Sequence, residues 1–167
     1  MTLSLTFAQA LLFLPLALPI CVWVALTDLR EMRIPNVAVL ALVTVFLGAG
    51  LMVLPLGDYG MRLVAMVVVL LAGFVITSLG LAGAGDSKFA AAMAPFVAPG
   101  DYMFFLMLFS LVLIGAWVTH RGAGRVPALR RATADWASWD QGKLFPMGVA
   151  LAGALVIYLA MGLSAGL

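Results

Sequence analysis

The stretch FAAAMAPFVAPGDYMFFLMLFSLVLIGAWV, residues 89–118, carries a single charge, Asp101, in thirty residues. Its reading decides how the whole chain is threaded. About 20 apolar residues, rising ~1.5 Å each as a helix, cross the ~30 Å hydrocarbon layer of a bilayer, so thirty are too many for one simple span. Pro95, Pro99, Gly100 and Asp101 interrupt the run, and Pro-Gly punctuates strongly because proline fixes φ and has no amide to donate. The stretch predicts a hairpin: a short helix near 88–98, a turn at Pro99-Gly100-Asp101, and a longer helix near 102–118.

Four charge-free stretches flank it, at about 7–26, 37–56, 63–82 and 144–163. Together they predict an all-α integral membrane protein, a bundle of about six transmembrane helices forming one domain over residues 1–167. Composition agrees: of 167 residues, 65% are apolar and 10% charged, too little charge to cover a soluble domain, which runs near a quarter charged. The N-terminal run lacks a basic leader region and is long enough to span, so it is expected to stay in the mature protein. Cys21, the single cysteine, excludes a disulfide framework and a cysteine tetrad for zinc. A net charge of +2, carried mostly by one loop, is a topology signal and not a nucleic-acid stripe.

Basic residues favour the cytoplasmic side of short loops. With six spans, Arg30, Arg33, Lys88, Arg121, Arg125, Arg130, Arg131 and Lys143 fall on one side and Arg62 alone on the other. With residues 89–118 as one span, the best split is six to three. The hairpin is therefore the better partition, and it puts both termini outside. In the loop from Thr119 to Lys143, Leu129, Ala132, Trp136 and Trp139 recur at helical spacing after Pro127. They predict a short helix on the cytoplasmic interface with its tryptophans at headgroup depth.

Two acids stand out by position. Asp28 follows the first span and Asp86 follows the third, so two intervening crossings return the chain to the same face. Acids beside a membrane interior are costly and mark functional sites. Gly83 and Gly85 let the backbone near Asp86 approach closely or take positive φ. Two partly desolvated carboxyl groups can share a proton and hold a water between them. One then takes a proton from the attacking water while the other donates to the scissile carbonyl oxygen. Asp28 past a helix C-terminus and Asp86 before a helix N-terminus favour Asp28 as acid and Asp86 as base. Two plainer readings compete: Asp86 as a helix N-cap, and Asp28 as a boundary residue paired with Arg30 or Lys88. Elsewhere, Cys21 reads as a small buried hydrophobe, the ten methionines as apolar filler, and His120 as interfacial. Asp58 and Asp101 read as outer-loop charges, and Pro35 as a helix initiator in the first turn.

Three segments together resemble the prepilin peptidases, the type IV prepilin leader peptidase family of membrane aspartyl proteases with a Gly-x-Gly-Asp element. Asp28-Leu29-Arg30-Glu31-Met32-Arg33-Ile34-Pro35-Asn36 is similar to the family's first motif and Gly83-Ala84-Gly85-Asp86-Ser87-Lys88 to its second. Phe145-Pro146-Met147-Gly148-Val149-Ala150 is similar to its closing Pro-Tyr-Gly-Val-Ala, with Met147 in the aromatic place. The resemblance implies that Asp28 and Asp86 are the catalytic pair, supported by Gly83, Gly85, Lys88, Arg33, Ile34, Pro35, Asn36, Pro146 and Gly148. In that role Lys88 would tune Asp86 electrostatically and Pro35-Asn36 would fix the start of the second span. It also implies that no metal or cofactor is needed. The implied substrate is a prepilin or pseudopilin, cut at the cytoplasmic face of the bacterial inner membrane. Larger members carry an insert with two Cys-x-x-Cys pairs and methylate the new N-terminus. Lacking it, this chain is similar to the compact peptidases of the tight-adherence (Flp) pilus system, which implies proteolysis without methyl transfer. A different class of protein, a small transporter or channel subunit, would use Asp28 and Asp86 to bind ions or protons.

Overall fold

The computed structural model describes residues 3–142 and 144–164, so Lys143 and the outermost terminal residues lie outside it. The described residues form seven α-helices: α1 (Phe7–Glu31), α2 (Asn36–Val53), α3 (Leu56–Ser78), α4 (Ala84–Met93), α5 (Tyr102–Ala123), α6 (Pro127–Ala132) and α7 (Met147–Ser164). Five of them, α1, α2, α3, α5 and α7, are long and apolar enough to cross a membrane. Among the described residues there is no strand. The protein is an all-α, multi-pass membrane protein.

The hairpin is present, and its first limb is unusual. Ten residues of α4 are too few to span alone; two 3-10 turns, Ala94–Phe96 and Pro99–Asp101, carry the chain onward. The two ends of this limb touch opposite ends of α1. Asp86 shares a cavity with Asp28 in the last turn of α1, while Asp101 accepts hydrogen bonds from the amides of Ser4 and Leu5, just before α1 begins (2.8 and 3.0 Å). The segment from 84 to 101 therefore runs the length of α1 and makes the sixth crossing.

Inside a bilayer, helices gain little by hiding apolar surface from one another and associate by close packing of small residues. α7, the most buried span, lies against α1, with Ala10 and Ala17 buried on α1 and Ala150 and Ala154 buried on α7. Gly162 completes this seam: a Cβ there would come within 2.5 Å of Leu5 Cδ2 and 2.8 Å of Ala10 Cβ. In the same buried stripe of α1, Phe13 meets Phe96 edge-on, as does Phe46 of α2, with ring centroids 5.1 and 5.4 Å apart. The first limb of the hairpin is thus held by aromatics where α4 gives way to a 3-10 turn.

Helix ends depart from the apolar runs. α1 continues to Glu31, so Asp28 lies inside its last turn and not beyond it. α3 begins at Leu56, after Pro55, which places Asp58 and Arg62 inside the helix and not in a loop. Hydrophobicity marks the part of a helix that fits lipid, whereas the hydrogen-bonded ladder runs on into the polar boundary. Pro35 is the N-cap of α2, one position before the first turn, with its carbonyl accepting from Ala38 and Val39. In the last loop the short helix exists as α6 but stops at Ala132. Trp136 and Trp139 lie beyond it, Trp139 in a separate 3-10 turn, so they do not share one helical face with Leu129. Instead the indole N–H of Trp139 bonds the Thr133 carbonyl, and its ring stacks on His120 with centroids 4.6 Å apart.

The opposite end of the bundle holds a buried polar knot. Arg62, 2% exposed, donates to the carbonyls of Pro95 and Phe96 and to Gln9 Oε1. The Tyr158 hydroxyl donates to Asp101 Oδ2 at 2.7 Å and accepts from the Ala98 amide at 3.0 Å. Asp101 and Arg62 are therefore not solvated loop charges: burial of α1, α3, α7 and the crossing limb against one another supplies each with partners.

Candidate active site

Asp28 and Asp86 open into one cavity of about 700 Å³ at the end of the bundle remote from that knot. Asp28 is near enough to Asp86 to feel its charge. Arg33, Ile34, Asn36, Gly83, Gly85 and Lys88 line the same cavity, as do Phe145 and Met147 from the closing segment. All three motifs, separated by whole crossings in sequence, converge here.

Asp28 is 4% exposed. Its carboxylate accepts a 2.7 Å hydrogen bond from the amide of Gly148 in the first turn of α7. That amide is one of the helix-terminal donors with no partner inside its own helix, and the positive end of the helix dipole reinforces the bond. The residue must be glycine: a Cβ would sit 2.9 Å from Asp28 Oδ2 and 3.1 Å from both Asp28 Cβ and Ile34 Cδ1. Pro146, buried just before α7, has no amide to leave unsatisfied.

Asp86 lies in the first turn of α4. It is not the N-cap; Gly83 is, with no side-chain capping bond. The Asp86 carboxylate folds back over Gly83, where a Cβ would stand 2.7 Å from Oδ2. Gly85 lies against Ile34, whose Cβ would be 3.3 Å from an added Cβ. Neither glycine has positive φ; that conformation occurs at Gly80, in the turn leading to the motif, and at Gly142. Close approach, and not backbone handedness, is what these two glycines supply.

Neither acid is in an ion pair; among the described residues the ion pair is Arg130–Asp140, at the exposed surface. Lys88 reaches Asn36 Oδ1 at 3.2 Å, tying the second motif to the start of α2. Arg33 is exposed at the cavity edge. Between Asp28 and Ile34 the chain turns through Met32, a non-glycine residue at φ 51°, whose amide closes α1 on the Asp28 carbonyl. This left-handed turn, about 1 kcal/mol dearer than a right-handed one for a residue with a Cβ, brings Ile34 and Asn36 back over the cavity.

Helix dipoles do not divide acid from base in this geometry. Asp28 sits at the negative end of α1 but also accepts from the positive end of α7, and Asp86 sits at the positive end of α4. Both acids face a helix N-terminus. The arrangement places two carboxyl groups in one cavity, each beside a helix N-terminus.

Of the motif residues expected from the sequence, Pro35, Pro146 and Gly148 do not line the cavity, Gly148 reaching it only through its bond to Asp28; a cluster behind Asp86 has no direct sign in the sequence. That cluster is Ser87, quoted within the second motif but given no role there, with Thr77 and Gly73 of α3: the Thr77 and Ser87 hydroxyls are 2.8 Å apart. Their only sequence signal is the small residue pair Gly73 and Thr77, one helical turn apart.

Neither curated proteins nor solved structures return a match to this chain. Residues 15–119, most of the chain and inclusive of both acids, match the type IV leader peptidase family. The chain is a member of that family of peptidases.

Proposed function

We propose that this protein is an aspartyl endopeptidase that removes the short basic leader from prepilins of the Flp type, or from pseudopilins. Asp28 and Asp86 are its catalytic pair. The single observation that carries the reading is the convergence of both acids and the Gly148 amide on one cavity. With Oδ2 of Asp28 occupied by Gly148, its other oxygen is left for water. One carboxyl group takes a proton from that water as it attacks the scissile carbonyl, while the other gives its proton to the carbonyl oxygen; the first then passes its proton to the leaving amine as the second takes one back from the tetrahedral intermediate. A coupled pair exchanges these roles within a cycle, so neither acid needs a permanent assignment.

The whole chain is one catalytic domain in the bacterial inner membrane, with the cavity on the cytoplasmic side and both termini outside. That orientation rests on the sequence: eight of the nine basic residues fall in the loops assigned to the same side as Asp28 and Asp86. A prepilin leader stays in the cytoplasm while its apolar helix enters the bilayer, so its scissile bond lies at the depth of this cavity. The other motif residues, Gly83, Gly85, Lys88, Arg33, Ile34, Pro35, Asn36, Pro146 and Gly148, shape the site. No metal or cofactor takes part, and the new N-terminus is left unmethylated.

The test is co-expression with a Flp-type prepilin. Asp28→Asn and Asp86→Asn should each abolish leader removal while inserting normally. Continued processing in either variant rejects the paired-acid mechanism, and a methylated mature N-terminus by mass spectrometry rejects the restriction to proteolysis.

A further inference from the structure

Three of the four residues around Asp86 in the first turn of α4 are fastened to a different element. Gly85 rests on Ile34, Lys88 bonds Asn36, and Ser87 docks on α3. The first two belong to motif contacts; the third does not. Gly73 and Thr77, four residues apart, lie on one face of α3. Ser87 enters between them: its hydroxyl is 2.8 Å from that of Thr77, and a Cβ on Gly73 would meet Ser87 Cβ at 2.9 Å. The contact also closes the turn of residues 79–83, which forms one wall of the cavity.

We propose that Gly73, Thr77 and Ser87 are positioning residues that set the rotation of α4 and so the aim of Asp86 into the cavity. The inference rests on the reading of Asp28 and Asp86 as the catalytic pair. Side chains of a helix lie about 5 Å from its axis, so a turn of about 20° moves the Asp86 carboxyl by about 2 Å. A misplacement of about 1 Å can cost on the order of a hundredfold in rate. Ser87, adjacent to Asp86 and within the same turn, is the nearest point at which α3 can resist such a rotation. The hydroxyl pair supplies direction, and the Gly73 notch supplies depth.

The test separates hydroxyl from shape. Thr77→Val keeps the volume and removes the bond; Thr77→Ser keeps the bond. In purified, lipid-reconstituted protein, Thr77→Val and Ser87→Ala should lower kcat for prepilin cleavage about tenfold or more with KM nearly unchanged, and Thr77→Ser should restore it. Wild-type kcat in Thr77→Val, or an equal fall in Thr77→Ser, overturns the proposal. A second measurement is independent of activity: hydrogen exchange at the Ser87 and Lys88 amides should quicken in Thr77→Val and not in Thr77→Ser. Unchanged exchange in Thr77→Val also overturns the proposal. Wild-type protein that cleaves no prepilin would reject the proteolytic reading instead, leaving the exchange result to decide the fastening of α4.

Discussion

The amide of Gly148 donates to Oδ2 of Asp28 at 2.7 Å, joining residues 120 positions apart. This bond ties the N-terminus of α7 to one of the two acids proposed as the catalytic pair. Gly148→Ala should therefore act as an active-site lesion. Its Cβ would crowd Asp28 and Ile34 from 2.9 to 3.1 Å, displacing the carboxyl group and lengthening its bond. Leader cleavage in single-turnover assays should fall on the order of a hundredfold, with membrane levels of the protein unchanged. Wild-type cleavage would show that Asp28 does not depend on α7.

Lys88 and Asn36 bridge the second motif to the start of α2 at an exposed position. Such a bond contributes modestly, about 1 kcal/mol. Lys88→Ala and Asn36→Ala should each slow cleavage several-fold, and the double variant should be no slower than the slower single one. Fully multiplicative losses would mean that Lys88 acts on Asp86 directly and not through Asn36.

At the far end, Asp101 takes three hydrogen bonds, from Ser4, Leu5 and Tyr158. An asparagine has one acceptor oxygen, so Asp101→Asn turns an amide group toward a donor. Tyr158→Phe orphans the Ala98 amide as well. Each should destabilise the fold by about 2 kcal/mol, read as a lower midpoint of thermal unfolding in detergent, while cleavage per folded molecule is retained. A variant that loses cleavage without losing stability would place this knot in the chemistry.

The crossing from 84 to 101 has a direct topological test. Reporters fused after Gly100 and after Leu167 should read outside, and one fused after Arg125 should read cytoplasmic. Cytoplasmic activity from the Gly100 fusion would remove the sixth crossing.

The hairpin at Pro99-Gly100 and the meeting of Asp28 with Asp86 were legible because each follows from short-range punctuation plus a parity of crossings. The role of Gly148 was legible only as a family resemblance, since its reason is a contact 120 residues away. Asp101 and Arg62 misled for the same cause: a charge between apolar runs reads as solvated until its partners are known, and theirs lie 33 to 97 residues distant. The spacing of Trp136 and Trp139 suggested a helix, but their rings are satisfied by stacking on each other and on His120, which a 3-10 turn serves better. Ser87 sat inside a recognised motif as an unspecified position, although its hydroxyl and the notch facing it are as specific as the residues on either side.

The knot of Arg62, Gln9, Asp101 and Tyr158 lies at one pole of the bundle and the two acids at the other. Among the described residues the two poles share no hydrogen bond: the groups that hold one end closed are engaged with one another, and the other end is left with its carboxyl groups turned to a water-accessible hollow.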